Sequence, residues 1–104
     1  VAVGGDYNDP ARAGVRAIYT KNGGTHWYEA EHMPEAYRSC VVSVNKKLLF
    51  ATGKTGCDYS TDGGRNWTFI DSAGYYAASR VHGKSLIYLS GSQGRIAKLK
   101  IGTY

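Results

Sequence analysis

The residues able to do chemistry in this chain are arginines, carboxylates and tyrosines. One way to hydrolyse an acidic sugar, that of sialidases, uses three arginines converging on a substrate carboxylate, a Tyr-Glu nucleophile pair and an aspartic acid/base. The chain carries Arg12, Arg16, Arg38, Arg65, Arg80 and Arg95, and, besides Asp62, the acids Asp6, Asp9, Glu29, Glu31, Glu35, Asp58 and Asp71. No carboxylate pair emerges from their positions. His26, His32 and His82 share no ligand spacing, so no zinc site is expected. Asp6-Tyr7-Asn8-Asp9-Pro10 is rich in oxygen but lacks the alternation of a calcium loop, and reads as a surface loop. Cys40 and Cys57 form neither a CxxC pair nor a metal knuckle. Neither a metal nor a cofactor is expected.

Asp62 belongs to a different pattern. Ser60-Thr61-Asp62-Gly63-Gly64-Arg65-Asn66-Trp67 reads Ser-x-Asp-x-Gly-x-x-Trp, and Thr20-Lys21-Asn22-Gly23-Gly24-Thr25-His26-Trp27 has the same form, with Thr for Ser and Asn for Asp. The offset is 40 residues, from 22 to 62 and from 27 to 67. Two copies in register at that period mark a repeat architecture. A short Asp or Asn side chain accepts hydrogen bonds from turn N–H groups, glycine supplies positive φ, and Trp packs beside the turn to lock the hairpin. Thr20, Asn22, Gly24, Trp27, Ser60, Asp62, Gly64 and Trp67 are therefore assigned to structure, not catalysis.

The elements that position these residues are short strands. Lys47-Leu48-Leu49-Phe50-Ala51-Thr52-Gly53 answers to Ser85-Leu86-Ile87-Tyr88-Leu89-Ser90-Gly91 at an offset of 38 residues, and Val1-Ala2-Val3-Gly4-Gly5 is the same strand one repeat earlier. Residues 37–44 pair likewise with 75–81, Tyr37 opposite Tyr75. Counting outward from a central channel, four strands make one unit. The first unit holds a second strand at 1–5, a third near 15–20 and a fourth near 26–31, with a long loop at 6–14. The next is complete, at 37–44, 47–53, 57–61 and 66–71. The last supplies 75–82, 85–91 and 94–101 and lacks a fourth strand. The expected architecture is all-β, with about two and a half β-propeller blades of four-stranded antiparallel sheet. The incomplete blades span 1–36 and 75–104, and the complete one spans 37–74. A last blade without its fourth strand suits the C-terminal end of a larger ring closed by its own N-terminus. The open edges then call for remaining blades, a second fragment or self-association.

Bulk composition agrees. Hydrophobic residues are 42% and charged residues 20% of 104, too apolar for a disordered tail. Fourteen glycines, nine tyrosines and two prolines suit short strands joined by tight turns. The run Leu48-Leu49-Phe50-Ala51 is far too short to cross a bilayer as a helix. The formal charge of +5 is spread over scattered lysines, and no nucleic-acid recognition motif accompanies it. On strands one and three of one blade, Cys40 and Cys57 lie about two strand spacings apart, beyond disulfide reach unless the loop before Cys57 bends back. Two free thiols are expected.

In Val1-Ala2-Val3-Gly4-Gly5-Asp6-Tyr7, Tyr37-Arg38-Ser39, Gly56-Cys57-Asp58-Tyr59-Ser60-Thr61-Asp62-Gly63-Gly64 and Gly94-Arg95-Ile96-Ala97, the chain resembles the Asp-box (BNR-repeat) propellers related to the photosystem II assembly and stability factor. That group includes bacterial proteins labelled oxidoreductase or glycosyl hydrolase. It departs from the pattern at Asn22, at the short loop Asn45-Lys46, and at Cys40 and Cys57. The resemblance implies a roughly seven-bladed propeller, exported or lipid-anchored, that serves as a non-enzymatic scaffold for a protein or peptide client. Arg38 matches the family's aromatic-Arg motif at the start of an innermost strand. There it either grips a client carboxylate at the channel mouth or pairs with a structural acid between blades. Tyr37, Arg80 and Tyr75 complete the expected binding set. The alternative is a sialidase-like glycoside hydrolase whose catalytic residues lie mainly in other blades.

Overall fold

A computed structural model describes residues 1–81 and 86–100 of the chain. Among the described residues, ten strands form three antiparallel sheets. Sheet one holds β1 (Ala2–Val3), β2 (Ala17–Tyr19) and β3 (Tyr28–Glu29). Sheet two holds β4 (Cys40–Ser43), β5 (Leu49–Gly53), β6 (Gly56–Ser60) and β7 (Thr68–Asp71). Sheet three holds β8 (Ala77–Arg80), β9 (Leu86–Ser90) and β10 (Ile96–Lys100). Each strand falls on a segment expected from the repeat, with β6 starting one residue before the expected 57–61. His82 and Ile101, which end two of those segments, Ser85, which opens another, and Lys84 between them lie outside the described residues.

Side-chain alternation along β5 explains the stacking. Successive residues of a strand face opposite sides, and β5 is buried on both. Leu49 and Ala51 meet Ala17, Ala30 and Trp67, with Val3, Met33 and Val41 packed around them, which closes sheet one onto sheet two. Phe50, with Cys57, meets Ile87 and Leu89, and Val42, Tyr75, Ala78, Ala97 and Leu99 surround them to close sheet three onto the other face. Each such large apolar side chain contributes about 1.5–3 kcal/mol by leaving water. The edge strand β7 is exposed along its length, which is why its sequence needs no long apolar run.

The closest approach between sheets is at β4, which packs against β8 on one side and β1 on the other. The same hydrogen bond recurs at both junctions. Arg38 N–H donates to Gly4 O at 3.2 Å, and Tyr75 N–H donates to Gly53 O at 2.9 Å. Cys40 Sγ lies 3.4 Å from both the N and the O of Ala78, a further tie between sheets two and three. Both cysteines are free.

Two expectations change. The repeat of β4 is displaced by one residue. Thr52 and Ser90 hold the 38-residue offset, but their strand partners are Cys40 and Ala77, only 37 apart. Six residues of sequence separate the paired positions Arg80 and Ile87, against five between Ser43 and Leu49. Arg38 therefore corresponds to Tyr75, and Tyr37 to Gly74. Trp27, expected to lock its turn, is 49% exposed, whereas Trp67 is 6% exposed. Trp67 is covered because the chain leaving β3 runs beside it. Glu31 N–H donates to Arg65 O at 2.7 Å and Trp67 N–H donates to His32 O at 3.0 Å.

Candidate functional site

The connections between strands gather at two opposite ends of the sheets. At one end lie the two octapeptide turns. Ser60 Oγ donates to Asp62 Oδ1 at 2.9 Å and accepts from Gly64 N–H at 2.9 Å. Asp62 Oδ1 also accepts from Asn66 N–H at 2.9 Å, while Oδ2 accepts from Asn66 Nδ2 at 2.7 Å. Thr20 and Asn22 repeat the scheme with Gly24 N–H at 3.0 Å and His26 N–H at 2.9 Å. Gly23, Gly24, Gly63 and Gly64 all take positive φ, 69°, 95°, 75° and 95° in that order, which a side chain would resist. Burial works to raise the Asp62 pKa, but hydrogen bonds from Asn66 and Ser60 outweigh it and hold the carboxyl below its usual value. Its oxygens are occupied by the turn, as the structural assignment requires.

At the other end the strands β4 and β8 begin, and the connections Gly53–Gly56, Gly91–Arg95 and the loop after β1 converge. Here the tyrosines meet cations. Tyr7 packs edge-on against Tyr37 with ring centroids 5.9 Å apart, and Lys54 Nζ sits 4.4 Å over the Tyr7 ring. The Arg95 guanidinium lies 4.5 Å over the Tyr75 ring and donates to Gly74 O. Tyr7 and Tyr76 stay largely exposed. Aromatic faces with cations over them form a surface suited to peptide groups and side chains.

Arg38 is not on that surface. Its side chain is fully buried, with Nε 2.5 Å from Asp58 Oδ2 and Nη1 donating to Tyr37 O and Thr55 Oγ1, each at 3.1 Å. Asp58 Oδ1 accepts from Glu35 N–H at 3.1 Å. The acid belongs to the same sheet, not to a neighbouring one. Arg38 thus braces Tyr37 and the Gly53–Gly56 turn from beneath, while its Nη2 finds no partner among the described residues. No equivalent pair occupies sheet three, where Tyr75 and Ala97 take the corresponding places. Arg80 is exposed at the far end of β8, opposite Ile87 and away from the tyrosines. The structure therefore brings Tyr37 and Tyr75 to one end and leaves Arg38 and Arg80 out of the surface there.

Lys54 and Arg95 were not singled out as binding residues. Both sit in or beside glycine turns, Gly53–Gly56 and Gly91–Arg95, and that placement at strand ends was the available signal. In the oxygen-rich loop, Asp6 Oδ1 accepts from Asn8 and Asp9 N–H, and Oδ2 pairs with Arg12 at 3.3 Å. The Asn8 hydrogen bond leads the causes that hold Asp6 below its ordinary pKa. Among the described residues no three His, Cys, Asp or Glu side chains gather as a metal site. Burial pushes the Cys57 thiol up, and Thr52 Oγ1 lies 3.2 Å from its sulfur, so it is a packed thiol without thiolate character. No helix among the described residues is long and apolar enough to cross a membrane. Comparison with protein-family models, with the curated proteins and with the solved structures found no match.

Proposed function

We propose that the chain is a run of Asp-box propeller blades acting as a non-enzymatic scaffold, which takes a protein or peptide client at its tyrosine-lined end. One observation carries this reading: the aromatic–cation pairs Tyr7–Lys54 and Tyr75–Arg95, with Tyr37 between them, line the same end of consecutive sheets. Arg38 is a positioning residue there, holding Tyr37 and Thr55 in place. In a propeller the innermost strands lie nearest the axis, and the meeting of β4 with β1 and β8 fits that arrangement. The outer face of sheet three exposes Tyr88 and Ile96, apolar area that further blades or self-association would cover. The family resemblance adds an exported location.

Two measurements test the reading separately. Light scattering at several concentrations reads closure. A discrete oligomer, or a tight complex with further blades, is expected, and a cooperative monomer at every concentration contradicts the propeller. Peptide selection on the immobilised chain reads the client surface. Selected peptides should bind the Tyr7→Ala/Lys54→Gln variant about tenfold more weakly, and equal binding by the variant excludes that surface.

A further inference from the structure

The end of the molecule that carries the octapeptide turns holds a second feature, independent of closure and of the tyrosine surface. Between sheets one and two lies a cleft of about 490 Å³ lined by Tyr19, Thr20, Lys21, Lys46, Asp62 and Arg65. A recess of about 290 Å³ adjoins it, sharing Thr20 and Lys46 and reaching Val41 and Leu49. Both walls are rigid for local reasons. Lys21 stands between the Thr20 and Asn22 side chains that bond each other. Lys46 stands in a hairpin closed by Asn45 Oδ1, which accepts from Lys47 and Leu48 N–H at 2.9 and 2.8 Å. That hairpin is tied to the second turn, because Gly63 N–H donates to Lys47 O at 3.0 Å.

The charges of the cleft do not cancel. Arg65 spends its fork on Glu31, with Nε and Nη2 2.9 and 3.0 Å from the two carboxylate oxygens. Asp62 has both oxygens engaged by its own turn. Lys21 and Lys46 form no ion pair with any described residue, and the one contact of the Lys21 ammonium among them is a distant one, 6.0 Å from the Tyr28 ring centroid. The planar Arg65 fork, which would suit a carboxylate or a phosphate, is occupied, and the two ammonium groups are point charges whose sum favours a compact oxyanion with several charged oxygens. We infer that this cleft binds the phosphate or sulfate group of a small ligand between Lys21 and Lys46, with an apolar part of the ligand reaching toward Val41 and Leu49.

Amide NMR titration of the labelled chain at low ionic strength, with phenyl phosphate, phenyl sulfate, inorganic phosphate and acetate, tests the assignment. Saturable shifts at Lys21, Lys46 and Gly63 are expected with both phenyl esters. Inorganic phosphate should bind more weakly for want of the apolar part, and acetate more weakly still. The Lys21→Gln/Lys46→Gln variant, altered only at exposed positions, should lose affinity by about tenfold or more. A Lys98→Gln control should match the parent. Shifts spread over many lysines and unchanged in the double variant, or no saturation with either ester, overturn the proposal. A preference for phosphate or for sulfate names the natural group.

Discussion

The two octapeptide turns share their hydrogen bonds and glycine conformations, yet one tryptophan is buried and the other is not. In both, a hydroxyl at the first position caps the N–H of the second glycine, and an Asx oxygen at the third accepts from the seventh residue's N–H. Trp67 also donates Nε1–H to Gly64 O at 3.0 Å and lies in the core shared with Ala17, Ala30 and Leu49. Trp27 stays 49% exposed. The turn is thus a property of eight residues, whereas the anchoring of its tryptophan depends on the sheet next door. Sheet one supplies that cover to the second turn through Glu31 and His32, and the Arg65–Glu31 pair runs along the same seam.

The largest difference between the copies should come from the tryptophans. Trp67→Ala should destabilise the fold by about 3–5 kcal/mol, and Trp27→Ala by about 0.5 kcal/mol or less, in the range of ordinary surface changes. Denaturant melts of the two variants check this. Equal losses would break the comparison and mean that Trp27 is covered in solution, as self-association would cause.

A smaller contrast is expected at the capping hydroxyls. Ser60→Ala strands the Gly64 N–H, which is buried, at a cost of about 1–3 kcal/mol. The Gly24 N–H capped by Thr20 is only partly buried, so water can replace the hydroxyl and Thr20→Ala should cost about 1 kcal/mol or less. Amide exchange at Gly24 and Gly64 reads the same contrast at single positions.

The smallest effect separates Asp from Asn at the third position. Asp62 has a folded-state pKa below its ordinary value, so the stability it contributes is complete above the ordinary aspartate pKa of about 3.9. That contribution fades as pH falls toward the folded-state value. Asn22 already performs the same turn without a charge. Asp62→Asn should therefore keep the fold at neutral pH and flatten part of the acid limb of the stability–pH curve, measured by melts between pH 2 and 7. Glu31, held low chiefly by its hydrogen bond from Arg65, and Asp6 leave a residual slope. An unchanged acid limb would show that the Asp62 carboxylate adds nothing beyond the amide.

Much of the fold was legible because its signals are local. The octapeptide needs only its own Ser or Thr, Asx and glycines to close, so its two copies announced two hairpins at a fixed period. The matching apolar runs around Leu49–Gly53 and Leu86–Ser90, 38 residues apart, placed the central strands. The one-residue slip between β4 and β8 was not legible, since Tyr37 and Tyr75 matched by type while the pairing of β8 with β9 is offset by one residue from that of β4 with β5. The site was read less well. Tyr37 and Tyr75 were identified from type and position, but Lys54 counted as one of the scattered lysines and Arg95 as one of six arginines until the turns carrying them folded over the tyrosine rings.

Arg38 and Trp27 divide the two kinds of knowledge most sharply. Residue type placed Arg38 at the head of a strand, and nothing along the chain set Asp58, twenty residues on, as its buried partner. Trp27 and Trp67 occupy identical octapeptide positions, yet their exposures differ several-fold. Strand periodicity, turn chemistry and the order of elements depend on bonds within a few residues, so residue order alone settles them. Burial depends on which sheet face arrives opposite, and that is settled when Ala17, Ala30, Leu49 and Ala51 pack around one tryptophan and leave the other to solvent.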